Sequence, residues 1–316
     1  MEKKRTGFSA YLPLLIVNIL VFTAAYLLFA VGFGDSSPVP FFAMFAFIQT
    51  SAIIAFALIR GKARSVPRHA SKIVMGMTLL LLAGVMGHQN FQIEGFFYLL
   101  LAGFVGGPIV HFGMKVLGTL FTGRVWYSWG CWTAAVLDLL PYNKNTAWSA
   151  KPWKHLRYLH FALSAVVVIV TWFVLHHAMM STNADPQLNW KESASSVYWI
   201  VAGNVLYYSA GVILALILKD NRAFCKYLCP VAVLLKGASA VSIVRVAPKS
   251  ASCGGCRECE KSCPASIAVH SYVKANRRVA STECLMCLNC VAVCPEGNLR
   301  TNAGCGIAKE RLTLSN

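Results

Sequence analysis

Long apolar runs separated by short polar segments fill the first two thirds of the chain. A helix needs about 20 consecutive, mainly apolar residues to span a bilayer, and six runs approach that length. The third run is the shortest, and local thinning of the bilayer would accommodate it. The pattern predicts an all-α polytopic membrane domain over residues 1–222, with spanning helices at about 10–33, 39–59, 73–90, 95–115, 158–180 and 197–218.

Lys and Arg residues favour alternate connections between these runs. The connections at 34–38, 89–94 and 181–196 contain one basic residue, Lys191, and the others among the 29 lie in or at the ends of the opposite set of segments. Short loops rich in Lys and Arg stay on the cytoplasmic side of a bacterial inner membrane. The pattern therefore predicts a multi-pass protein of that membrane with both termini in the cytoplasm.

The segments that follow the fourth and sixth runs are not predicted to span. Residues 123–157 combine several Trp with Asp138 and Lys, a mixture that suits the bilayer interface. Residues 223–248 include an amphipathic stretch at 231–247 and lead into a Cys-rich region at 249–300. The last residues, 301–316, are predicted to form a loosely ordered tail.

The composition agrees with a membrane protein. Hydrophobic residues make up 57% of the chain and charged residues 13%, whereas a soluble domain has about 25% charged residues. The net charge of +17 follows from the loop bias, and no basic face interleaved with aromatic residues is visible, so we expect no nucleic-acid partner. The first apolar run exceeds the ~7–15 residues of a signal peptide and is expected to be retained as a helix.

Two cysteine runs with identical spacing lie in the C-terminal region. Each follows the pattern C-x2-C-x2-C-x3-C-P, at 253–264 and at 284–295. This is the spacing of two-cluster bacterial ferredoxins, in which the fourth Cys of each run ligates the other [4Fe–4S] cluster. We predict two crossed ligand sets: Cys253, Cys256, Cys259 and Cys294 for cluster I, and Cys284, Cys287, Cys290 and Cys263 for cluster II.

Two other interpretations of these cysteines are less favoured. Zinc is usually held by two separated C-x2-C pairs rather than by two full runs with a trailing Pro. Disulfides are rare on the reducing cytoplasmic side. The expected domain is therefore a bacterial-type 2[4Fe–4S] ferredoxin-like α+β domain, which would relay single electrons and offers no open position for a substrate.

A degenerate repeat lies where two predicted spans leave the membrane. Residues 123–132 and 221–230 align as [GN]-R-x-[FW]-[CY]-x3-C-[PW]. The repeat supplies three thiols, Cys131, Cys225 and Cys229, as candidates for a third redox or metal site. Thiol–disulfide chemistry between the last two is an alternative, and so is simple packing of small buried side chains at helix ends.

The second copy of this repeat, followed by two cysteine runs, resembles the membrane polyferredoxins of the NapH type, the C-terminal part of NosR and the CcoG proteins, over about residues 95–300. In these families Cys225 and Cys229 would fall on a Cys-x3-Cys-Pro motif. Tyr127 and Trp132 stand where the first motif has Cys and Pro, and six spans exceed the four expected of the NapH type. The resemblance therefore indicates a divergent member.

Five histidines lie in or near the predicted spans. His88, His176 and His177 are placed near the outer face, His111 in the fourth span and His160 near the inner end of the fifth. Contact with a quinone at the outer face is one interpretation. A haem b between His160 and His176 is less favoured, because four suitably placed His would be needed, and a packing role is the usual one for a lone membrane His.

The resemblance implies an electron-transfer component of a quinol dehydrogenase-type complex rather than a stand-alone enzyme. Electrons would pass between the quinone pool or a cytoplasmic donor and a membrane or periplasmic redox subunit. A metal-reducing or assembly factor similar to CcoG, acting on a metalloenzyme, is the main alternative. A redox sensor is the other.

Overall fold

The helices and strands are described from a computed structural model that covers residues 7–32, 34, 39–103, 107–142, 153–176, 179 and 190–304. The long helices are α1 Leu12–Leu27, α2 Val39–Leu58, α3 Val66–Met77, α4 Ile93–Ala102, α5 Gly107–Thr122, α8 Leu156–Phe173 and α9 Trp190–Leu218. Two of them continue as π-helix: α1 through Leu28–Gly32 and α3 through Thr78–Met86. Short helices follow at α6 Val125–Trp129, α7 Trp132–Leu137, α10 Ala223–Tyr227 and α11 Val231–Ala240.

Among the described residues, five helices are long and apolar enough to cross a membrane, or six if the bent pair α4 and α5 is counted as one span. The five are Leu12–Gly32, Val39–Leu58, Ala63–Met86, Leu156–Phe173 and Ala194–Leu218. Each overlaps a predicted span, but the third begins ten residues earlier than expected. The early start places Arg68 and Lys72 inside the helix, where both side chains are buried against protein rather than lipid.

The fourth predicted span is not a continuous helix. Its two halves, α4 and α5, meet at an angle of 113°. Gly103 ends α4 with φ of 64°, in the left-handed region that glycine adopts without steric cost. The GFVGG sequence therefore breaks the helix, and α5 runs on to Thr122, beyond the predicted end at residue 115.

Polar side chains inside the bundle bind one another across helices. Asn18 on α1 donates to Thr50 on α2 at 3.3 Å, and Ser164 on α8 donates to Glu94 on α4 at 2.6 Å. Such contacts are common between membrane helices. Large apolar side chains on the outer faces of the long helices are exposed, as a lipid-facing surface requires.

The C-terminal region is a small unit of short helices and one two-stranded sheet. Strand β1 (Val244–Pro248) pairs antiparallel with β2 (Leu299–Ala303), with Val246 opposite Thr301. Helices α12 (Glu258–Lys261), α13 (Val269–Lys274) and α14 (Asn289–Val293) lie between them. Two expectations are corrected. The amphipathic linker ends in a strand rather than continuing as one element, and the predicted tail begins with strand residues, because pairing with β1 orders residues up to 303.

The C-terminal unit sits on one end of the helix bundle, which we call the cluster end. Several connections between helices at this end bind it directly. Arg64 donates to the carbonyl of Ala292 at 3.1 Å, and the hydroxyl of Thr301 on β2 donates to the carbonyl of Ala10 at 2.8 Å. The unit is thus fixed against the ends of several helices rather than hanging from a single linker.

Candidate iron–sulfur centre and its membrane boundary

The eight cysteines of the two runs line two small cavities, four to each. Each cavity takes three cysteines from one run and the fourth from the other. One is lined by Cys263, Cys284, Cys287 and Cys290, and the second by Cys253, Cys256, Cys259 and Cys294. The grouping is the one that crossed ligation requires, although the ligand assignment itself stays a prediction.

The chemistry of these cavities fits an iron–sulfur cube. Thiolate is the ligand of [4Fe–4S] clusters, and backbone amides commonly donate to the sulfurs. Here the amide of Ile267 donates to Cys263 Sγ at 3.5 Å, and the amide of Asn298 donates to Cys294 Sγ at 3.4 Å. Every cysteine that the structure describes is a free thiol.

The two runs fold into the same turn. Gly255 and Met286 precede the second Cys of their runs, and Arg257 and Leu288 follow it. All four have positive φ, between 49° and 75°. Non-glycine residues adopt this region only when the surrounding structure imposes it. A left-handed turn of this kind brings cysteines three residues apart to one side of the loop, and α12 and α14 then start immediately.

The second run lies against the helix bundle. Ser128 Oγ donates to the carbonyl of Leu285 at 2.9 Å, and Trp129 Nε1 donates to the carbonyl of Met286 at 3.1 Å. Arg68 on α3 donates to the carbonyl of Cys287 at 2.9 Å. The first run is more open, since Cys256 is exposed to solvent. The cavity for cluster II therefore faces the membrane part, and the cavity for cluster I faces outward.

A buried carboxylate paired with two guanidinium groups lies next to the second run. Arg124 and Arg157 each contact the carboxylate of Glu283 at 3.0 Å, directly before Cys284. Burial would raise the pKa of Glu283, but the two guanidinium groups outweigh burial and lower it. Arg124 had been noted only as part of the repeat, and Arg157 and Glu283 gave no sequence signal that would link them.

The two copies of the repeat bind each other. Arg222 of the second copy donates to the carbonyl of Tyr127 in the first at 3.4 Å. Arg124 of the first donates to the carbonyl of Ala232, just beyond the second, at 3.4 Å. Arg222 also pairs with Asp138 at 2.5 Å. The Arg that both copies of the repeat share thus has a structural role, which is to hold the two helix ends together.

The boundary thiols lie close together beside the second run. The Tyr127 hydroxyl lies 3.5 Å from Cys229 Sγ, and Cys131 is near enough to influence both Cys225 and Cys229 electrostatically. Burial raises the pKa of Cys225 to about 12 and also raises that of Cys229. Without a metal, both are protonated thiols at neutral pH. A small cavity lined by Cys225, Pro264 and Leu285, among others, lies between Cys225 and the loops of cluster II.

The histidines do not form a common site among the described residues. His88 and His176 lie in turns with positive φ, 51° and 49°, and His177 lies outside the described residues. His160 Nδ1 is 2.8 Å from the carbonyl of Leu228, a contact that fits the packing interpretation. His111 differs, because its Nε2 is buried with no hydrogen-bond partner.

A basic cleft of about 1400 Å³ separates the bundle from the cluster loops. Arg60, Arg64, Arg68 and Arg222 line it from the bundle side together with Asp138, the ion-pair partner of Arg222. Cys287, Cys294 and Glu258 are among the residues that line it from the other side. The cleft therefore combines a positive wall with direct access to a predicted ligand of each cluster. The sequence predicted basic loops on one side of the membrane but not a cleft.

Comparisons with known proteins agree with the cysteine pattern. A family model for a 4Fe–4S dicluster domain matches residues 245–295. The uncharacterized protein MJ0749 of Methanocaldococcus jannaschii is 36% identical over 80 residues, which are 25% of this chain and 30% of that protein. YccM, a candidate electron transport protein of Escherichia coli, is 32% identical over 99 residues, 31% of this chain and 27% of its own.

A second uncharacterized protein of M. jannaschii, MJ0750, is 23% identical over 208 residues, 63% of this chain and 81% of its own length. The matches to MJ0749 and YccM span less than a third of those relatives. No solved structure matches the chain. The C-terminal part is thus a 4Fe–4S dicluster domain, joined to a helical part that could be embedded in a membrane, and an electron-transfer role is supported.

Proposed function

We propose that this chain is a membrane-anchored relay that passes single electrons between the quinone pool or a cytoplasmic donor and a membrane or periplasmic redox partner. The observation that carries the proposal is the pair of four-cysteine cavities, one lined by the exposed Cys256 and one formed by loops that bind the helix bundle. An arrangement with one outer and one inner centre suits transfer between a partner at the surface and one at the membrane.

Each of the two cavities would hold one [4Fe–4S] cluster. The ligands would be Cys253, Cys256, Cys259 and Cys294 in the outer cavity, and Cys263, Cys284, Cys287 and Cys290 in the inner one. When bound, each cube takes up or gives up one electron at a time. The chain's own residues supply the thiolates, donate amide hydrogens to sulfur and fix the loops. The loops of the inner cavity are fixed by Arg68, Trp129 and Glu283.

A negatively charged redox partner would dock at the basic cleft. Opposite charges accelerate encounter and orient the partners. The lower wall presents Arg60, Arg64 and Arg68, while the loops of Cys287 and Cys294 form the facing wall. The basic character of this end also suggests that it lies in the cytoplasm of a bacterial cell, since loops rich in Lys and Arg are retained there.

The relay is tested by following the clusters in anaerobic membranes. When dithionite-reduced protein is mixed with a short-chain quinone, the clusters should be reoxidised and their visible absorbance should return. The variant Cys256→Ser should lose transfer from a surface donor, because the outer centre is gone. A chain that carries both clusters but exchanges electrons with neither a quinone nor an acidic protein donor would contradict the proposal.

A metal-reducing or assembly role is a second candidate. It is favoured by the grouping of Cys131, Cys225 and Cys229 next to the loops of cluster II. Such a protein would reduce an added metal ion such as Cu²⁺ with electrons from the clusters. The variant Cys225→Ser should then lose metal reduction while retaining both clusters. Unchanged reduction in this variant would remove the second candidate.

A further inference from the structure

An elongated cavity of about 390 Å³ lies between α1, α2, α5 and the π-helical end of α3. Its walls are mainly apolar, with Phe22, Phe41, Phe42 and Phe45 on one side. A cavity of this size and apolar character is typical of a small-molecule site. Since the elements around it are candidate membrane spans, a ligand would enter from the lipid.

The cavity contains a lysine that has no anionic partner. Lys115 on α5 lines it and is 7% exposed. Its Nζ lies 4.7 Å from the ring centre of Phe112, 5.1 Å from Trp132 and 5.3 Å from Trp126. Within the described part of the chain, no carboxylate forms an ion pair with it. A charged group inside a membrane domain is costly and is therefore usually functional.

Two buried polar atoms on residues that line the same cavity have no hydrogen-bond partner among the described residues. They are Nε2 of His111, one helical turn before Lys115, and Oε1 of Gln89. A buried polar group without a partner costs free energy unless a ligand satisfies it. The cavity thus offers the ammonium donor of Lys115, the acceptor oxygen of Gln89, a ring nitrogen of His111 and an apolar wall.

One end of the cavity reaches the loop of cluster II. Gly123 lines the cavity at the end of α5, and a Cβ atom placed on it would lie 3.0 Å from Cγ of Met286. Met286 lies between Cys284 and Cys287. A redox-active molecule at this end of the cavity would be separated from the loop of the inner cluster by little more than the backbone of Gly123 and one side chain, and a ring held by Lys115 would lie roughly 12 Å further along α5.

We propose that this cavity binds the ring of a lipid-soluble quinone, with Lys115 donating a hydrogen bond to a ring carbonyl oxygen. The inference deepens the proposed function, and the electron transfer described next rests on that function. A quinol bound there would release two electrons and two protons on oxidation. The electrons would pass one at a time to the two clusters, and the protons would leave to water. Reduction of a quinone would reverse each of these transfers.

A phospholipid head group fits this position less well. Lys115 lies roughly 12 Å along α5 from Gly123, at 1.5 Å per residue, and the hydrocarbon core is only about 30 Å thick. A phosphate would have to leave the interface to reach the ammonium group. A neutral carbonyl ring on an isoprenoid tail can occupy that depth without such a penalty.

The chain offers a matched pair of variants for the test. Gly118 and Gly113 both lie on α5, and a Cβ on either meets no other atom within 4 Å. Gly118 lines the cavity, and Gly113 is not among the lining residues. Gly118→Leu should therefore fill the cavity without disturbing the helix, and Gly113→Leu controls for the substitution itself.

The measurement is photolabelling of the full-length protein in lipid nanodiscs by an azido-quinone, with labelled peptides identified by mass spectrometry. Iron content is determined on the same samples. Wild-type protein and Gly113→Leu should be labelled on α5, and Gly118→Leu should lose at least about tenfold of that labelling. Lys115→Met should weaken binding by about 10- to 100-fold, the range for a hydrogen bond from a charged donor. Excess short-chain quinone should compete, and excess phospholipid should not.

Equal labelling of Gly118→Leu and wild type would overturn the inference. Loss of labelling in the presence of excess phospholipid would also overturn it. Because labelling needs no electron transfer, its outcome is independent of the relay. A protein that binds the quinone in this cavity but does not reoxidise its clusters would contradict the proposed function and leave the site intact. The opposite result would retain the relay and remove the site.

Discussion

The two cysteine runs share a spacing and a turn but differ in their surroundings. In the first run Cys256 is exposed, and the backbone amide of Gly254 binds the exposed Glu296 at 2.7 Å. In the second run Cys290 is buried and the loop accepts hydrogen bonds from the helix bundle. The same cysteine spacing therefore occurs in two different environments. The difference teaches that the spacing specifies the turn and the grouping of the cysteines, whereas contacts with the bundle decide which group is covered by it.

The largest expected effect comes from removing one ligand of each proposed cluster. Cys290→Ser should eliminate the inner cluster, and Cys256→Ser the outer one, so that iron falls from about eight to about four per chain in each case. The inner variant should also lower the thermal stability of the chain more, because its loop is buried against the bundle. Iron analysis and thermal unfolding in detergent measure both quantities. Equal stability of the two variants would contradict the comparison.

The ion pair beneath the second run offers the next test. Glu283→Gln leaves Arg124 and Arg157 without their shared buried counter-charge and should cost about 3–5 kcal/mol of unfolding free energy. Glu296→Gln is the matched change beside the first run, and its exposed hydrogen bond should be worth only about 1 kcal/mol. Denaturant unfolding of both variants gives the difference. If the two changes cost the same, the second run does not depend on the bundle in the way described.

A smaller effect is expected at the boundary thiol beside the second run. The pKa of Cys225 is raised to about 12 by burial, whereas an unperturbed thiol has a pKa of about 8.5. Alkylation requires the thiolate, so Cys225 in the folded protein should react at pH 8 at least about 100-fold more slowly than in the unfolded chain. The rate should keep rising with pH up to about 12. Rapid alkylation at pH 8 in the folded state would show that the thiol is ionised.

The smallest effect concerns the potentials of the two clusters. Arg68 is buried and donates to the carbonyl of Cys287, so removing its charge in Arg68→Met should lower the potential of the inner cluster, on the order of 50 mV. The potential falls because the reduced cluster carries one more negative charge than the oxidised cluster, and the positive charge of Arg68 no longer stabilises it. Arg257→Met, at an exposed position of the first run, should shift the outer cluster less, because water and salt screen it. Potentiometric titration distinguishes the two, and a larger shift from Arg257 would contradict this account.

The sequence predicted the parts of the molecule that depend on local pattern. Cysteine spacing led to the two sets of four that line the cavities, and apolar length located the helices. It missed the break at Gly103, because a glycine in an apolar run is as common in packed helices as at their ends. Lys115 was placed at a helix end and therefore was not considered as a buried charge. The pairing of Glu283 with Arg124 and Arg157 joins residues more than a hundred positions apart, and no local pattern encodes such a contact.

The same limit explains why the sequence does not predict the cavity between the helices. A space between α1, α2 and α5 depends on the relative placement of helices whose outer and inner faces are both apolar. Periodicity cannot distinguish a Phe that faces lipid from one that lines a cavity, so Phe42 and Phe45 carried no signal. Strand β1 was missed for a related reason. Its residues are all buried, and a short apolar stretch after a helix resembles a continuation of that helix.

Electron paramagnetic resonance of the anaerobically purified, dithionite-reduced protein tests the central claim most directly. Two [4Fe–4S] clusters held by cysteines that cross between the runs lie close together, so their unpaired spins should interact. We predict a broadened, spin-coupled spectrum that integrates to about two spins per chain, and a simple uncoupled signal once Cys256 is replaced by Ser. A spectrum of a single isolated cluster in the unaltered chain, or no signal at all, would contradict the account.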